Sequence, residues 1–159
     1  MVAIKKYPNN RAHFIRLKRF AKQILNICEE LSITPIVWGG LAYFGYTKDK
    51  HYIIHDIDFL VPCKSIKKVM KILEEKKIRH KYISDWHSLV ISKGNLRVDL
   101  DPIERYYKEP KRFKEFDFDG LTVKVVSLVQ LIRMYKRASE VSQDKPEQHR
   151  KKLEELRKK

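Results

Sequence analysis

Apolar residues recur at three- and four-residue intervals in several segments of the chain, which is the spacing of an amphipathic helix. In the first of these segments the apolar stripe comprises Phe14, Leu17, Ala21, Ile24, Leu25 and Cys28. Asn9 or Asn10 can cap this helix. Its outward face is predicted to carry Arg11, Arg16, Lys18, Arg19 and Lys22. The predicted helices cover residues 10–31, 41–46, 64–77, 128–138 and 147–158.

Shorter apolar runs, rich in β-branched and aromatic residues, predict strands between these helices. The predicted strands cover residues 34–38, 56–61, 79–83, 87–92, 96–100 and 121–126. The sequence Lys93-Gly94-Asn95 is typical of a tight hairpin connection. Residues 104–120 are charged and aromatic without a clear period, so we expect an arm or a loop with a short strand. The order of elements predicts an α+β fold, a mixed β-sheet with helices packed on it.

The length of 159 residues favours a single domain that is large enough to bury a core. The core is expected at about residues 33–137, with the helices at 10–31 and 147–158 peripheral to it. The last helix has only Leu153 and Leu156 as strong apolar anchors. So thin a stripe predicts a peripheral helix or one that docks on a partner, and residues 140–146 form a polar break before it.

The net charge of the chain indicates which kinds of binding partner to expect. The chain has 35 Lys and Arg against 20 Asp and Glu, a net charge of +15. This excess favours RNA or nucleotide phosphate as partners, because a thermophilic surface alone would raise both signs of charge. Cys28 and Cys63 fit no metal-ligand spacing and indicate a reducing compartment. No apolar run reaches the ~18 residues that span a bilayer, so we expect a soluble, cytoplasmic protein.

Two aspartates two residues apart interrupt an apolar strand. Asp56 and Asp58 project from the same face of that strand, since side chains alternate along it. Asp is depleted from strands and neighbouring like charges repel, so packing explains this pair poorly. Mg²⁺ explains it better, because this ion commonly takes one or two carboxylates plus substrate phosphates. A later strand offers Asp99 or Asp101 as a third carboxylate, and spacing alone does not choose between them.

A glycine pair stands upstream of these acids. Gly39 and Gly40 follow an apolar strand and open a predicted short helix. Glycine lets the backbone come close to a ligand, and a helix N-terminus presents free N–H groups to phosphate. Such a pair usually marks only a turn, but before an Asp-x-Asp it is predicted to hold a triphosphate.

Gly39-Gly40, Asp56-Ile57-Asp58 and an acid in a later strand, taken together, resemble the nucleotidyltransferase superfamily with the polymerase-beta-like fold. The chain is most similar to the small stand-alone members, the minimal and the aminoglycoside- or lincosamide-type nucleotidyltransferases. The resemblance covers roughly residues 35–137. Many members have Gly-Ser where this chain has Gly-Gly. Members often read apolar-Asp-apolar, a polar residue and Pro, which matches Val98-Asp99-Leu100-Asp101-Pro102.

This resemblance implies a set of roles. Asp56, Asp58 and Asp99 would be the catalytic carboxylates and the ligands of Mg²⁺, with two ions expected, and Asp101 would be a neighbour behind them. Gly39 and Gly40 would hold the nucleoside triphosphate, ATP among the candidates. The helix after the strand at 121–126 carries a Lys or Arg near the nucleotide in these families. Lys136 is the nearest match, with Arg133 as an alternative.

The resulting hypothesis is an enzyme that transfers a nucleoside monophosphate from the triphosphate to an acceptor hydroxyl and releases pyrophosphate. The sequence does not choose among three classes of acceptor: an RNA such as tRNA, a protein and a small molecule. One alternative is an inactive protein of this fold that binds RNA or a protein partner. A metal-dependent nuclease is the other, but the upstream glycines argue against it.

Overall fold

One mixed β-sheet organises the part of the chain that the structure describes. The computed structural model describes residues 1–106, 112–141 and 146–159. Its eight strands are β1 Val2–Ile4, β2 Ile36–Trp38, β3 Ile57–Val61, β4 His80–Ile83, β5 Ser88–Lys93, β6 Leu96–Pro102, β7 Phe113–Phe118 and β8 Thr122–Val126. They lie in the order β1-β7-β8-β2-β3-β6-β5-β4. The strands that carry the predicted acids, β3 and β6, are therefore adjacent in the interior of the sheet.

Helices flank this sheet, as the sequence predicts. They are α1 Arg11–Glu30, α2 Gly39–Thr47, α3 Cys63–Glu75, α4 Leu128–Val141 and α5 Pro146–Arg157, and a single 3-10 turn follows β6 at Ile103–Arg105. α1 and α3 contact each other and both contact β6, whereas α2 contacts α4 and α5. The predicted α+β architecture is confirmed. None of the described helices is both long and apolar enough to span a membrane.

The two faces of the central strands have different surroundings. Along β6, Val98 and Leu100 are fully buried, while Arg97 is exposed and Asp99 half-buried. Because side chains alternate across a strand, the buried pair faces the packed helices α1 and α3. Asp99 faces the opposite, more open side, and Asp58 lies beside it on β3. This open face holds the candidate site.

The sequence does not predict β1. This three-residue strand pairs in parallel with β7, so that Ala3 lies opposite Asp117. A strand this short carries no periodicity of its own and forms only because a distant partner strand offers an edge. The predicted arm at 104–120 contains β7, while its residues 107–111 lie outside the described residues, as do residues 142–145 of the predicted polar break.

Two details of α1 differ from the prediction. Lys18 is only 7% exposed and is not on the outward face. Its Nζ donates to the carbonyl oxygens of Phe118 at 3.2 Å and Asp119 at 3.0 Å, so the turn after β7 satisfies its charge. Asn10 precedes α1, but its side chain makes no capping hydrogen bond. It instead exchanges two hydrogen bonds with the backbone of Ile54.

The last helix is anchored more firmly than its thin apolar stripe indicates. Leu156 is fully buried and Leu153 nearly so, and both belong to the same hydrophobic core as the sheet. α5 contacts α2 and α4 through this face. The helix thereby brings Lys152, which directly precedes Leu153, over the ring of Tyr43 in α2.

Candidate active site

Three aspartates meet on the open face of the sheet. The parallel register of β3 and β6 places Asp58 directly opposite Asp99, and Asp56 precedes β3 on the same face as Asp58. One carboxylate oxygen from each of the three lies within 4.8 Å of the others. The structure thus brings together the three residues that the sequence analysis proposes as metal ligands.

The cluster is electrostatically costly by itself. Burial raises the pKa of Asp58 well above its usual value, and the neighbouring Asp56 and Asp99 charges raise it further. Burial also raises the pKa of Asp56, with Asp99 adding to the effect and the cations Arg97 and Lys152 opposing it. Like charges this close favour protonation unless a cation joins them. The donor set, three carboxylates facing one another, fits a divalent oxygen-seeking cation.

Arg97 partly balances the negative charge of the three aspartates. Its Nε and Nη2 donate to the two oxygens of Asp99, each at 2.8 Å. Arg97 and Asp99 are two residues apart on β6, so their side chains lie on the same face of the strand. The strand therefore holds the guanidinium in position for its two hydrogen bonds to the carboxylate. The guanidinium also lowers the pKa of Asp56 and of Asp58. The sequence analysis missed this residue, although its spacing from Asp99 is a readable signal.

The glycine pair is explained by what surrounds it. Gly39 has a φ of +69°, and a Cβ there would lie 2.6 Å from Oδ2 of Asp58. A Cβ on Gly40 would lie 2.8 Å from the hydroxyl oxygen of Tyr52. The first glycine therefore lets Asp58 stand against the start of α2. The second explains why this chain has Gly-Gly rather than Gly-Ser, since Tyr52 occupies the space of a side chain.

Asp101 has a different environment from Asp99. It is 8% exposed, and its two oxygens accept hydrogen bonds from Ser88 Oγ at 2.6 Å and Trp38 Nε1 at 3.2 Å. Burial raises the pKa of Asp101, while the bond from Ser88 lowers it. With both oxygens held by neighbouring side chains, Asp101 is placed behind the cluster and outside the set of three facing carboxylates.

The basic residues of α4 that are predicted to contact the nucleotide do not lie against the three aspartates in the described structure. Lys136 and Arg133 are both exposed on α4, and no contact places them at the acids among the described residues. A nucleotide contact by Lys136 stays a prediction. The lysine whose charge acts on Asp56 is Lys152 of α5. The sequence analysis missed it because the α5 pattern predicts a peripheral helix.

Lys152 lies among three tyrosines. Its Nζ is 5.3 Å from the ring centroids of Tyr52 and Tyr135 and 5.9 Å from that of Tyr43. The hydroxyl of Tyr135 is buried and has no hydrogen-bond partner among the described residues. A buried polar group without a partner is costly, so this hydroxyl is available to a ligand. Burial raises the pKa of Tyr135, and the charge of Asp58 contributes.

A cavity of about 300 Å³ lies next to the carboxylates, and neither the glycine pair nor Lys152 lines it. Asp58 and Asp99 line it together with the aromatic side chains Trp38, Trp86 and Tyr106. The rings of Trp38 and Tyr106 contact each other with centroids 5.0 Å apart. The acids thus adjoin two regions, one with the glycines, Lys152 and the tyrosines, and one with an aromatic cavity.

Solved structures share this fold. The antibiotic-resistance factor ANT(2'')-Ia superposes with a TM-score of 0.66 at 20% identity, over 89% of this chain and 83% of that one. The lincosamide antibiotic adenylyltransferase LnuA, solved with lincomycin bound, gives 0.61 at 15% identity over 88% and 94%. The Thermotoga maritima protein TM1012, whose assignment as a nucleotidyltransferase is provisional, gives 0.58 at 19% identity over 94% and 97%.

No protein-family model matches the sequence, and no curated protein matches it either. The structural likeness therefore establishes the fold, that of the small aminoglycoside- and lincosamide-type nucleotidyltransferases. The fold that the sequence resemblance implies is confirmed.

Proposed function

We propose that this protein is a metal-dependent nucleotidyltransferase that moves a nucleoside monophosphate from a nucleoside triphosphate to an acceptor hydroxyl. One observation carries the proposal. Asp56, Asp58 and Asp99 gather their oxygens within 4.8 Å, on adjacent strands of a nucleotidyltransferase fold. A chain that had kept this fold only as a binding module would gain nothing from three facing carboxylates, two of which, Asp56 and Asp58, have raised pKa values.

The carboxylates are proposed to hold Mg²⁺. Asp56 and Asp58 would bind it on the triphosphate side, and Asp99 would share in a second ion on the acceptor side. Bound there, the ions would neutralise phosphate charge and steady the attacking and leaving oxygens. Arg97 occupies both oxygens of Asp99, so we expect it to release at least one of them when substrates and metal are bound.

The triphosphate is proposed to lie at the start of α2. Gly39 and Gly40 carry no side chain between the backbone and the neighbouring Asp58 and Tyr52, and the helix N-terminus presents N–H groups to an anion. Lys152 adds a positive charge beside the acids, and the Tyr135 hydroxyl adds a buried donor that has no partner in the described part of the chain. These side chains would bind the phosphates and leave the α-phosphorus near Asp58.

The reaction forms one bond and breaks one. The acceptor oxygen bonds to the α-phosphorus, and the bond from that phosphorus to the oxygen bridging to the β-phosphate breaks. Pyrophosphate leaves with the electron pair. Asp99 is proposed to take the acceptor's hydroxyl proton and pass it to water. Most of the rate gain would come from positioning and charge neutralisation.

Incubation with each of the four NTPs, labelled at the α-phosphate, tests the proposal. We expect Mg²⁺-dependent transfer of label to an acceptor fraction and release of one pyrophosphate for each label transferred. Asp58→Asn, with the same shape and no charge, is the matched negative control. Binding of NTP without pyrophosphate release in any fraction would contradict an enzymatic function, and label release as free nucleotide alone would favour hydrolysis.

A further inference from the structure

On the basis of the proposed function, we infer that the acceptor is a small alcohol that carries a flat ring and little net charge. Its binding site is the cavity beside Asp58 and Asp99. The inference concerns the chemical class of the acceptor and stands on the walls of this cavity, on its size and on the position of the basic helices.

The cavity is sized for a small molecule. Its volume of about 300 Å³ is at the lower end of the range for ligand pockets. Trp38 and Tyr106 form one wall with their rings in contact. Trp86 is 61% exposed and lines the same cavity. Such large exposed rings beside a functional site offer faces on which a flat ring can stack.

The polar groups of the cavity orient a hydroxyl. Asp58 and Asp99 lie in its lining, so a hydroxyl on a ring held by the aromatic walls would reach the carboxylate proposed to take its proton. Arg97 and Arg105 also line the cavity, and the Arg105 guanidinium lies 5.4 Å from the ring centroid of Trp86. With the carboxylates of Asp58, Asp99 and Asp101 in the same lining, the two arginines give the cavity walls a mixed charge, which suits a ligand of little net charge.

The basic helix α3 does not lead to this cavity. The exposed lysines Lys67, Lys68 and Lys71 belong to α3, which packs on β6 from the side of Val98 and Leu100. Asp99 and the cavity lie on the opposite side of the sheet. A continuous positive path for an RNA backbone from α3 to Asp99 would have to pass around the edge of the sheet. The cavity walls themselves combine rings and mixed charges, which suits a compact ligand.

Tryptophan fluorescence reports on this cavity directly. The chain has two tryptophans, Trp38 and Trp86, and both line the cavity. The probes are benzyl alcohol, 4-hydroxybenzyl alcohol and adenosine as ring alcohols, with tobramycin as a polycation and total tRNA as a polymer. The titration is run with Mg²⁺, both with and without an NTP analogue that cannot be cleaved between the α- and β-phosphates. Binding in the cavity is thus measured even if the chain takes no nucleotide.

We expect at least one ring alcohol to quench the fluorescence at saturable concentration and to accept label from an α-labelled NTP. Trp86→Ala should raise the KM for that alcohol about three- to tenfold, the effect of losing one ring contact. The affinity for the NTP analogue should not change. Trp86→Phe should restore most of the loss, and Val129→Ala, which truncates an exposed apolar residue on α4, should have no effect.

Three results would overturn the inference. One is label transfer to tRNA or tobramycin with no transfer to ring alcohols, and another is an unchanged KM in Trp86→Ala. The third is the absence of quenching by every ring alcohol up to millimolar concentration. Failure of the proposed function is separate, because it is recorded as no pyrophosphate release with any acceptor while cavity binding is read from fluorescence alone.

Discussion

At the scale of single residues, the acidic cluster works against the stability of the metal-free protein. Asp58 is held between Asp56 and Asp99, and burial together with these charges raises its pKa well above the usual value. A carboxylate with a raised pKa in the folded state costs stability at neutral pH, where it must lose its proton. The cost is acceptable only if a ligand restores the balance of charge.

Asp58→Asn should therefore separate stability from activity. We expect transfer to fall at least about a hundredfold, as for loss of a preorganised electrostatic contact. The melting temperature without metal should rise, because one buried charge and its repulsion are removed. Transfer assays and thermal melts with and without Mg²⁺ measure both effects. Full activity in Asp58→Asn and also in Asp56→Asn would place the site elsewhere.

The two acids of β6 should respond in opposite ways. Asp99→Asn is expected to lower kcat about 10²- to 10³-fold, with little change in nucleotide affinity, because it acts on the acceptor side. Asp101→Asn should mainly destabilise the fold, by about 1–3 kcal/mol, since an amide cannot accept from both Ser88 and Trp38. Steady-state kinetics and urea unfolding of the two variants measure the contrast. The reverse ranking of kcat would move the catalytic role to Asp101.

At the scale of elements, Tyr52 restricts which residue can stand at Gly40, near the start of α2. Gly40→Ser restores the residue common in the resembled families, yet its Cβ would lie 2.8 Å from the Tyr52 hydroxyl. We expect a loss of about 1–3 kcal/mol from this overpacking. The double change with Tyr52→Phe should recover most of it, since the nearest ring carbons would then lie 3.6 Å away. Urea unfolding of the single and double variants tests this, and an equal loss in both would assign the cost to the backbone.

The helix α5 offers a matched pair of lysines. Lys152→Met should raise the Kd of the Mg²⁺-nucleotide complex about tenfold, because a charged partner of the phosphates is lost. Lys151→Met removes the same charge from an exposed neighbouring position and should leave the Kd unchanged. Titration with a fluorescent NTP analogue measures both. Equal effects of the two changes would indicate a general response to net charge and would remove Lys152 from the proposed site.

These elements also mark where sequence reasoning reaches its limit. The alternation in β3 and β6 and the spacing of Asp56 and Asp58 are local signals, so the central strands and this pair of acids could be predicted. Spacing does not separate Asp99 from Asp101, and the choice of Asp99 comes from the family resemblance. Lys152 could not be predicted, because the packing of α5 on α2 and α4 depends on contacts between distant segments. Lys18 was misplaced for a related reason: its partners at Phe118 and Asp119 lie a hundred residues along the chain.

At the scale of the whole molecule, the exposed positive charge of α1 and α3 lies on the opposite side of the sheet from the candidate site. If the acceptor were RNA, the basic residues behind the net charge of +15 would be expected to form a continuous positive surface leading to Asp99. Side-chain alternation in β6 instead places Asp99 away from α1 and α3, whose outward faces hold exposed basic residues. RNA association, where it occurs, would then be separate from the acceptor cavity.

Charge reversal of α3 tests this separation. Lys67→Glu, Lys68→Glu and Lys71→Glu together should weaken tRNA binding, and the logarithm of the affinity should fall less steeply with the logarithm of the salt concentration. On a single strand, each lost phosphate contact lowers the slope by roughly 0.7. Transfer to a small acceptor should stay within about twofold, because screening weakens charges more than about 10 Å away at moderate salt.

The control for this experiment is the same charge change at Lys5, Lys6 and Lys114, which are exposed near the β1–β7 edge of the sheet. Filter binding of total tRNA at low and moderate salt compares the two triple variants, and label transfer to a small alcohol is measured alongside. An equal loss of tRNA binding in both would reflect net charge and no particular face. A loss of transfer in the α3 variant alone would connect that face to Asp99, and an RNA acceptor would then be the better explanation of the basic helices.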